Sequence, residues 1–185
     1  MLPWRFFGDG TSSRGDCHEA MNMASILKLP VVFVCQNNQI ANSTPVTKGV
    51  GGPIAARAAG SGMPGVTVDS NDVLAVRDAM DTAVARARAG DGPTLIAAET
   101  YRVAGHSYSD AADYRDPADI AQGRAKDPVA RYRRYLIEQE VMTAAEMDTL
   151  DHELVAHVDD SFATAQADPV PTAEALNPQD VFAKR

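Results

Sequence analysis

GDGTSSRGDCHEAMNMASILKLPVVFVCQNN, residues 8–38, is the stretch on which the reading of this chain turns. A short apolar run ends at Phe6-Phe7, and Gly8-Asp9-Gly10 breaks it. A helical pattern follows from about Asp16 to Leu29, with Asp16 as a fair N-cap. Ala20, Met23, Ala24 and Leu27 recur at i, i+3, i+4 and i+7, which predicts a face packed on a sheet. Pro30 stops the helix. Val31-Val32-Phe33-Val34-Cys35 then reads as a buried strand ending at Gln36-Asn37-Asn38. From Asp9 to Asn38 is 29 positions, about the length of one βαβ unit. With parallel strands, both polar groups sit at strand C-termini, on the edge where open α/β sheets bind ligands. Neighbouring strands lie about 4.8 Å apart, close enough for an Asp carboxylate and an Asn amide oxygen to meet one ion. Hard oxygen ligands suit Mg²⁺ or Ca²⁺, and Mg²⁺ completes its shell with water and substrate phosphates.

The pattern Gly8-Asp9-Gly10, 26 residues, Asn37-Asn38 resembles the thiamine diphosphate (ThDP) motif. The wider context, with HEAMN and KLPVVFVCQNN in place, resembles the α subunit of the 2-oxoacid dehydrogenases, which act on pyruvate, branched-chain 2-oxoacids or acetoin. The resemblance implies a ThDP-binding α/β fold. It implies Mg²⁺ held by Asp9, Asn38 and the backbone carbonyl of Ile40, with Gly10 and Thr11 offering backbone donors to the diphosphate. The glutamate that activates the cofactor belongs to a β partner in that family, so Glu19 is read as structural or interfacial. Asn42 stands where the family carries an apolar residue that supports the bent cofactor. Gln36 stands where some relatives carry an Arg that reaches the diphosphate. In the family a substantial segment precedes the Gly-Asp-Gly motif and contributes a Tyr-Arg pair. The chain is therefore expected to correspond to the C-terminal half or more of such a subunit.

Bulk properties narrow the class. The chain has 185 residues, 45% hydrophobic and 23% charged, with net charge −8. That is enough for one domain with a real core. The acidic balance, with no basic block, argues against nucleic acid as a partner. No apolar run reaches the roughly 18 residues of a membrane span, and residues 1–7 are too short for a signal peptide. Two cysteines make no disulfide framework; both are read as reduced thiols, Cys35 in a strand and Cys17 partly exposed. A cytoplasmic location is expected, or the mitochondrial matrix for a eukaryotic source.

The remaining chain keeps the α/β alternation. Thr11-Ser12-Ser13 lies in the turn before the first helix, where unpaired N–H groups suit a phosphate. A short helix is predicted from Pro53 to Ala59. Gly65–Asp69 reads as a strand. Ser70-Asn71-Asp72 caps a helix through Ala89, with Val73, Val76, Met80, Ala83, Val84 and Ala87 as its apolar face and Gly90 as its stop. Thr94–Ala98 is a further strand, and the short connections predict a mostly parallel sheet flanked by helices. The loop after it, Tyr101 to Asp110, leaves the same edge as Asp9 and Asn38. A histidine there, His106, is a candidate acid–base group. The loop matches the family's G-H-S-x-S-D sequence, which implies that His106 contacts the cofactor and helps pass the acyl group to a lipoyl arm. Ser107 and Ser109 match positions phosphorylated in mitochondrial relatives and are assigned no regulation. His152 and His157 are five apart and read as ordinary helix residues.

Beyond Asp127-Pro128 the chain turns helical. Val129, Tyr132 and Leu136 form one face, and Arg131, Arg133 and Arg134 a solvated or interfacial one. Thr143 and Glu146 form a capping box. A long helix, with Met147, Leu150, Leu154, Val158, Phe162 and Ala165 on its apolar face, runs to about Ala167. The tail from Thr172 is expected to be extended against a partner or loose. The sequence thus divides into an α/β diphosphate-binding part, 1–125, and a helical extension, 126–185. The implied activity is ThDP- and Mg²⁺-dependent oxidative decarboxylation of a 2-oxoacid with acyl transfer to a lipoyl group. The implied partners are a β subunit, in an α2β2 assembly, and a lipoyl-bearing acyltransferase. Activity of the chain alone is not expected. The alternative is a non-catalytic interaction chain that keeps the fold and binds no cofactor.

Overall fold

The computed structural model describes residues 3–172. A four-stranded sheet carries the first part of the chain. Its strands are β1 (Trp4–Gly8), β2 (Val32–Asn37), β5 (Gly65–Asp69) and β6 (Thr94–Glu99). Their order is β1-β2-β6-β5, and every neighbouring pair is parallel. Between β2 and β5 in the chain lies a two-residue-a-side hairpin, β3 (Ile40–Ala41) with β4 (Thr44–Pro45).

The central strands β2 and β6 are buried on both faces, which is why they read as continuous apolar runs. Their side chains sort by the two-residue period of a strand. Phe33, Cys35, Leu95 and Ala97 join Met21, Ala24, Ile54 and Ala58 on one face. Val32, Val34, Ile96 and Ala98 join Val68 and Ala83 on the other. All four strands end at one edge: Gly8 pairs with Gln36, Asn37 with Glu99, and Asp69 with Glu99.

Helix α1 (Gly15–Ile26) connects β1 to β2. It starts one residue earlier and ends three earlier than the periodicity suggests. Asp16 is not its N-cap: Arg14 holds that place without a side-chain cap, and Asp16 lies in the first turn. Arg14 pairs with Asp16 at 2.8 Å. The helix stops because Lys28 turns left-handed, at φ 48°. Leu29 N–H then closes back on the Ala24 carbonyl, a Schellman-type end. The buried face also differs from the predicted one. Met21 and Ala24 are buried, with Cys17 packed beside them, while Met23 and Leu27 are exposed. The helix is apolar on two sides, and of the face that periodicity selects only Ala24 is buried.

A one-turn helix, α2 (Val46–Gly49), follows the hairpin. The predicted 53–59 helix is a 3₁₀ turn, Ile54–Ala56, running into α3 (Arg57–Gly60), with Pro53 at the cap rather than in the first turn. Helix α4 (Val73–Arg88) is capped by Asp72, whose carboxylate accepts the Leu74 and Ala75 N–H groups. Gly90, at φ 82°, follows its end. Ala83 and Ala87 are buried, and Val76, Met80 and Val84 pack on the same cluster, but Val73 is exposed. Helix α5 (Pro117–Arg124), with Asp116 as cap, was not foreseen.

Helix α6 (Pro128–Glu138) follows. Arg131, read as solvated or interfacial, donates to Asp69 at 2.8 Å and to Asp72 at 2.7 Å. Val129 is exposed. The chain divides into two units, Met1–Tyr135 and Leu136–Arg185. The described residues of the second hold helix α7 (Ala144–Ala167), opened by the Thr143–Glu146 capping box. Met147 is buried, whereas Leu150, Leu154, Val158 and Phe162 are exposed. His152 and His157 both lie in this helix, and His152 contacts the Asp148 carbonyl. The expectation for the tail falls, from residue 173 onward, outside the described residues.

Candidate functional site at the C-terminal edge of the sheet

Asp9 follows the last residue of β1 and is only 3% exposed. Its carbonyl accepts the Ser12 N–H at 3.1 Å and the Ser12 hydroxyl at 2.6 Å, which winds Thr11–Ser13 into a 3₁₀ turn. Its carboxylate Oδ2 is buried with no hydrogen-bond partner. Burial pushes the Asp9 carboxyl above its ordinary range, against the opposing pull of the Asp9 and Gly10 N–H groups and the Arg102 charge. Gly10 lies against the hairpin: a Cβ there would stand 2.7 Å from the Ala41 Cβ. That close approach, rather than a special φ, requires glycine. Thr11 is exposed at the start of the turn.

Asn38 and Ile40 lie where β2 gives way to β3. The Asn38 Oδ1 accepts the Ile40 N–H at 3.3 Å, and the Ile40 carbonyl accepts Arg102 Nη1 at 3.3 Å. Each oxygen keeps a second lone pair. The close approach of Gly10 to Ala41 gathers this turn at the end of β1, where Arg102 bonds the Ile40 carbonyl. Gln36 is exposed at the strand end. Asn42 is exposed and left-handed, at φ 53°. Asn is among the residues that tolerate this conformation best, so the backbone accounts for its presence. Its carbonyl accepts Arg102 Nη2 at 2.7 Å and the Tyr114 hydroxyl at 3.2 Å.

The loop after β6 is tied to this hairpin by Arg102 and Tyr114. Asp110 organises the loop from within. Its carboxylate accepts the His106 N–H at 2.6 Å, the Tyr114 hydroxyl at 2.8 Å and the Ala112 N–H at 2.9 Å. Those donors hold the Asp110 carboxyl down to about 2. Gly105 is required here, because a Cβ would meet the Asp110 carbonyl oxygen. His106 is exposed, and its backbone, not its ring, makes the bond to Asp110. The loop is thus brought to the hairpin, but no contact joins the His106 imidazole to Asp9 or Asn38. Ser107 and Ser109 are exposed, with hydroxyls 3.4 Å apart.

Besides Arg102, a second cation at the site leaves no local mark in the sequence. Arg57, from α3, donates to the Ser12 carbonyl, to the Ser12 hydroxyl at 3.0 Å and to the Ser13 hydroxyl at 3.5 Å. It stands over the turn that follows Asp9. No local pattern marks it, because it reaches the turn across 45 positions. The two thiols are inert by environment: burial pushes Cys35 up to about 12 and raises Cys17 as well.

The donor set fits Mg²⁺ and a diphosphate. It offers one carboxylate with an orphaned buried oxygen, one amide oxygen and one main-chain carbonyl, all hard ligands. Among the described residues no three His, Cys, Asp or Glu side chains cluster as a metal site, so the set holds a single anionic ligand. That suits an ion whose remaining ligands are water and phosphate oxygens. Arg57 and the turn it covers supply positive potential beside it.

A family model described as "Dehydrogenase E1 component" matches residues 3–174. The chain is 41% identical over 179 residues to a chloroplastic pyruvate dehydrogenase E1 component subunit alpha-3 from Arabidopsis thaliana, covering 96% of this chain and 42% of that protein. It is 51% identical over 136 residues to a 3-methyl-2-oxobutanoate dehydrogenase subunit alpha from Mycobacterium tuberculosis, covering 72% and 37%. It is 41% identical over 181 residues to a 2-oxoisovalerate dehydrogenase subunit alpha from Bacillus subtilis, covering 96% and 54%. The chain thus spans about two-fifths to a half of the length of these relatives. No helix among the described residues is long and apolar enough to cross a membrane.

Proposed function

The chain belongs to the dehydrogenase E1 component family, and from that membership we propose that it forms the diphosphate-binding part of the α subunit of a ThDP- and Mg²⁺-dependent 2-oxoacid dehydrogenase. The observation that supports this most directly is Asp9: a buried carboxylate with one unpartnered oxygen, beside the Asn38–Ile40 turn. A protein that only needed a folded turn would gain by replacing it.

Asp9, the Asn38 Oδ1 and the Ile40 carbonyl would hold Mg²⁺. Gly10 and Thr11 would present backbone to the diphosphate, and Arg57 would balance its charge. Bound there, ThDP supplies the nucleophilic thiazolium carbon and the electron sink for loss of CO₂ from a 2-oxoacid; the protein supplies binding, orientation and electrostatics. Arg102 and Tyr114 hold the His106 loop against the hairpin, so the imidazole could hold or pass a proton during acyl transfer to a lipoyl group. On this reading the chain up to residue 125 would carry the site, and helices α6 and α7 would belong to its extension. A β subunit would complete the cofactor site in an α2β2 assembly, and a lipoyl-bearing acyltransferase would take the acyl group. The reading goes with the cytoplasm, or the mitochondrial matrix in a eukaryote.

The test uses the assembled complex with its β subunit, offered pyruvate and branched-chain 2-oxoacids. Decarboxylation of at least one of them and Mg²⁺-dependent retention of ThDP are expected. Asp9→Ala should abolish that retention; unchanged retention would remove Asp9 as a ligand. His106→Ala should slow lipoyl acylation by about 10²-fold or more while leaving ThDP retention within a few-fold. A complex that holds no ThDP at all would favour the non-catalytic alternative.

A further inference from the structure

Glu99 is the last residue of β6, in register with Asn37 at the end of β2. Its carboxylate Oε2 accepts two side-chain amides at once: Asn37 Nδ2 at 2.9 Å and Gln39 Nε2 at 2.6 Å. These two residues flank Asn38. The backbone is stitched at the same place, because Thr100 N–H donates to the Asn37 carbonyl at 2.9 Å and Arg102 N–H to the Asn38 carbonyl at 3.1 Å. Asn37 Oδ1 in turn accepts the Gln39 N–H at 3.2 Å.

The path between the two oxygen ligands depends on Gln39, which is left-handed at φ 73°. A non-glycine residue holds that conformation only where its surroundings impose it. Glu99 is one such constraint, acting through the Gln39 side chain. It also satisfies the amide of Asn37, which is buried and would otherwise lack a partner.

We propose that Glu99 is a positioning residue for the metal turn: by accepting both Asn37 and Gln39 it fixes the bend that presents the Asn38 Oδ1 and the Ile40 carbonyl to one ion. The role in metal binding rests on the cofactor reading above. On that reading Glu99 is not itself a ligand and acts as outer-shell partners of metal ligands do.

Two substitutions separate positioning from mere stability. Glu99→Gln keeps an oxygen that can sit where Oε2 sits and accept both amides. Glu99→Leu removes every acceptor while keeping bulk. In the assembled enzyme, the Mg²⁺ concentration for half-maximal ThDP retention should rise about tenfold or more in Glu99→Leu and stay within about threefold of the parent in Glu99→Gln. Without cofactor, hydrogen exchange of the 38–41 amides should quicken in Glu99→Leu and match the parent in Glu99→Gln. A Glu99→Leu protein that melts earlier yet keeps the parent's Mg²⁺ requirement would overturn the proposal, as would unchanged exchange in the turn. If the parent itself shows no Mg²⁺-dependent ThDP retention, the cofactor reading fails, and the exchange comparison still decides whether Glu99 holds the turn.

Discussion

Asp9 is placed against its own stability. Burial raises its carboxyl above the ordinary value, so the folded state binds a proton more readily than the unfolded chain. Its contribution to stability is complete below the unfolded value and is lost as pH rises through the raised one. At neutral pH the ionised form therefore carries a penalty. Asp9→Asn should raise the melting temperature of the cofactor-free chain at pH 7, by about 2–4 °C per kcal/mol relieved in a chain of this size. The gain should vanish below the unfolded value of 3.8, and a lower melting temperature at pH 7 would contradict the account. Asp110 is the opposite case. Its carboxyl is held down to about 2, first by the His106 N–H and then by Tyr114 and Ala112. Its contribution is present above the unfolded value of 3.8 and is lost as pH falls through about 2. The His106 amide proton should titrate with a midpoint near 2 in NMR; a midpoint near 3.8 would remove the carboxylate as the loop's organiser.

At the scale of elements, Asp72 joins three segments. It caps α4 and receives Arg131 from the start of α6, while Arg131 also binds Asp69 at the end of β5. Loss of an N-cap costs about 1 kcal/mol, and exposed ion pairs add little. Asp72→Ala should destabilise by about 1–2 kcal/mol in urea titration, and Asp72→Asn, which keeps a cap acceptor, by clearly less. Equal losses would assign the effect to the ion pair. Strands β2 and β6 were legible because each is a short, near-continuous apolar run, and Gly65–Asp69 emerged with its predicted ends. The Thr143 capping box and the end of α7 at Ala167 were legible for the same local reason. The buried face of α1 was not. Ala20, Met23, Ala24 and Leu27 satisfy a helical period, yet of these only Ala24 is buried, beside the unpredicted Met21. Which apolar side is buried depends on where the neighbouring strands run.

At the scale of the molecule, the sheet has an open edge at β1, where Trp4 and Phe6 are half exposed. On the proposed reading Asp9 would be the one anionic ligand this chain gives the ion, and the chain spans about two-fifths to a half of its relatives. ThDP affinity of the chain alone should therefore be weaker, by about 10²-fold or more, than that of the assembly with a β subunit, since linked sites gain by mass action. Calorimetry showing equally tight binding by the chain alone would oppose this. The sequence by itself determined the four strands of the main sheet, their parallel sense and the placing of Asp9 and Asn38 at one edge, because these follow from local apolar runs, breakers and the length of a βαβ unit. Only the tertiary structure decided which groups complete that edge. Arg57, Arg102 and Glu99 reach the two turns from 45, 62 and 60 positions away. Side chains that meet across the sheet leave no mark in local sequence, since their partners are chosen by strand order and register rather than by neighbours in the chain.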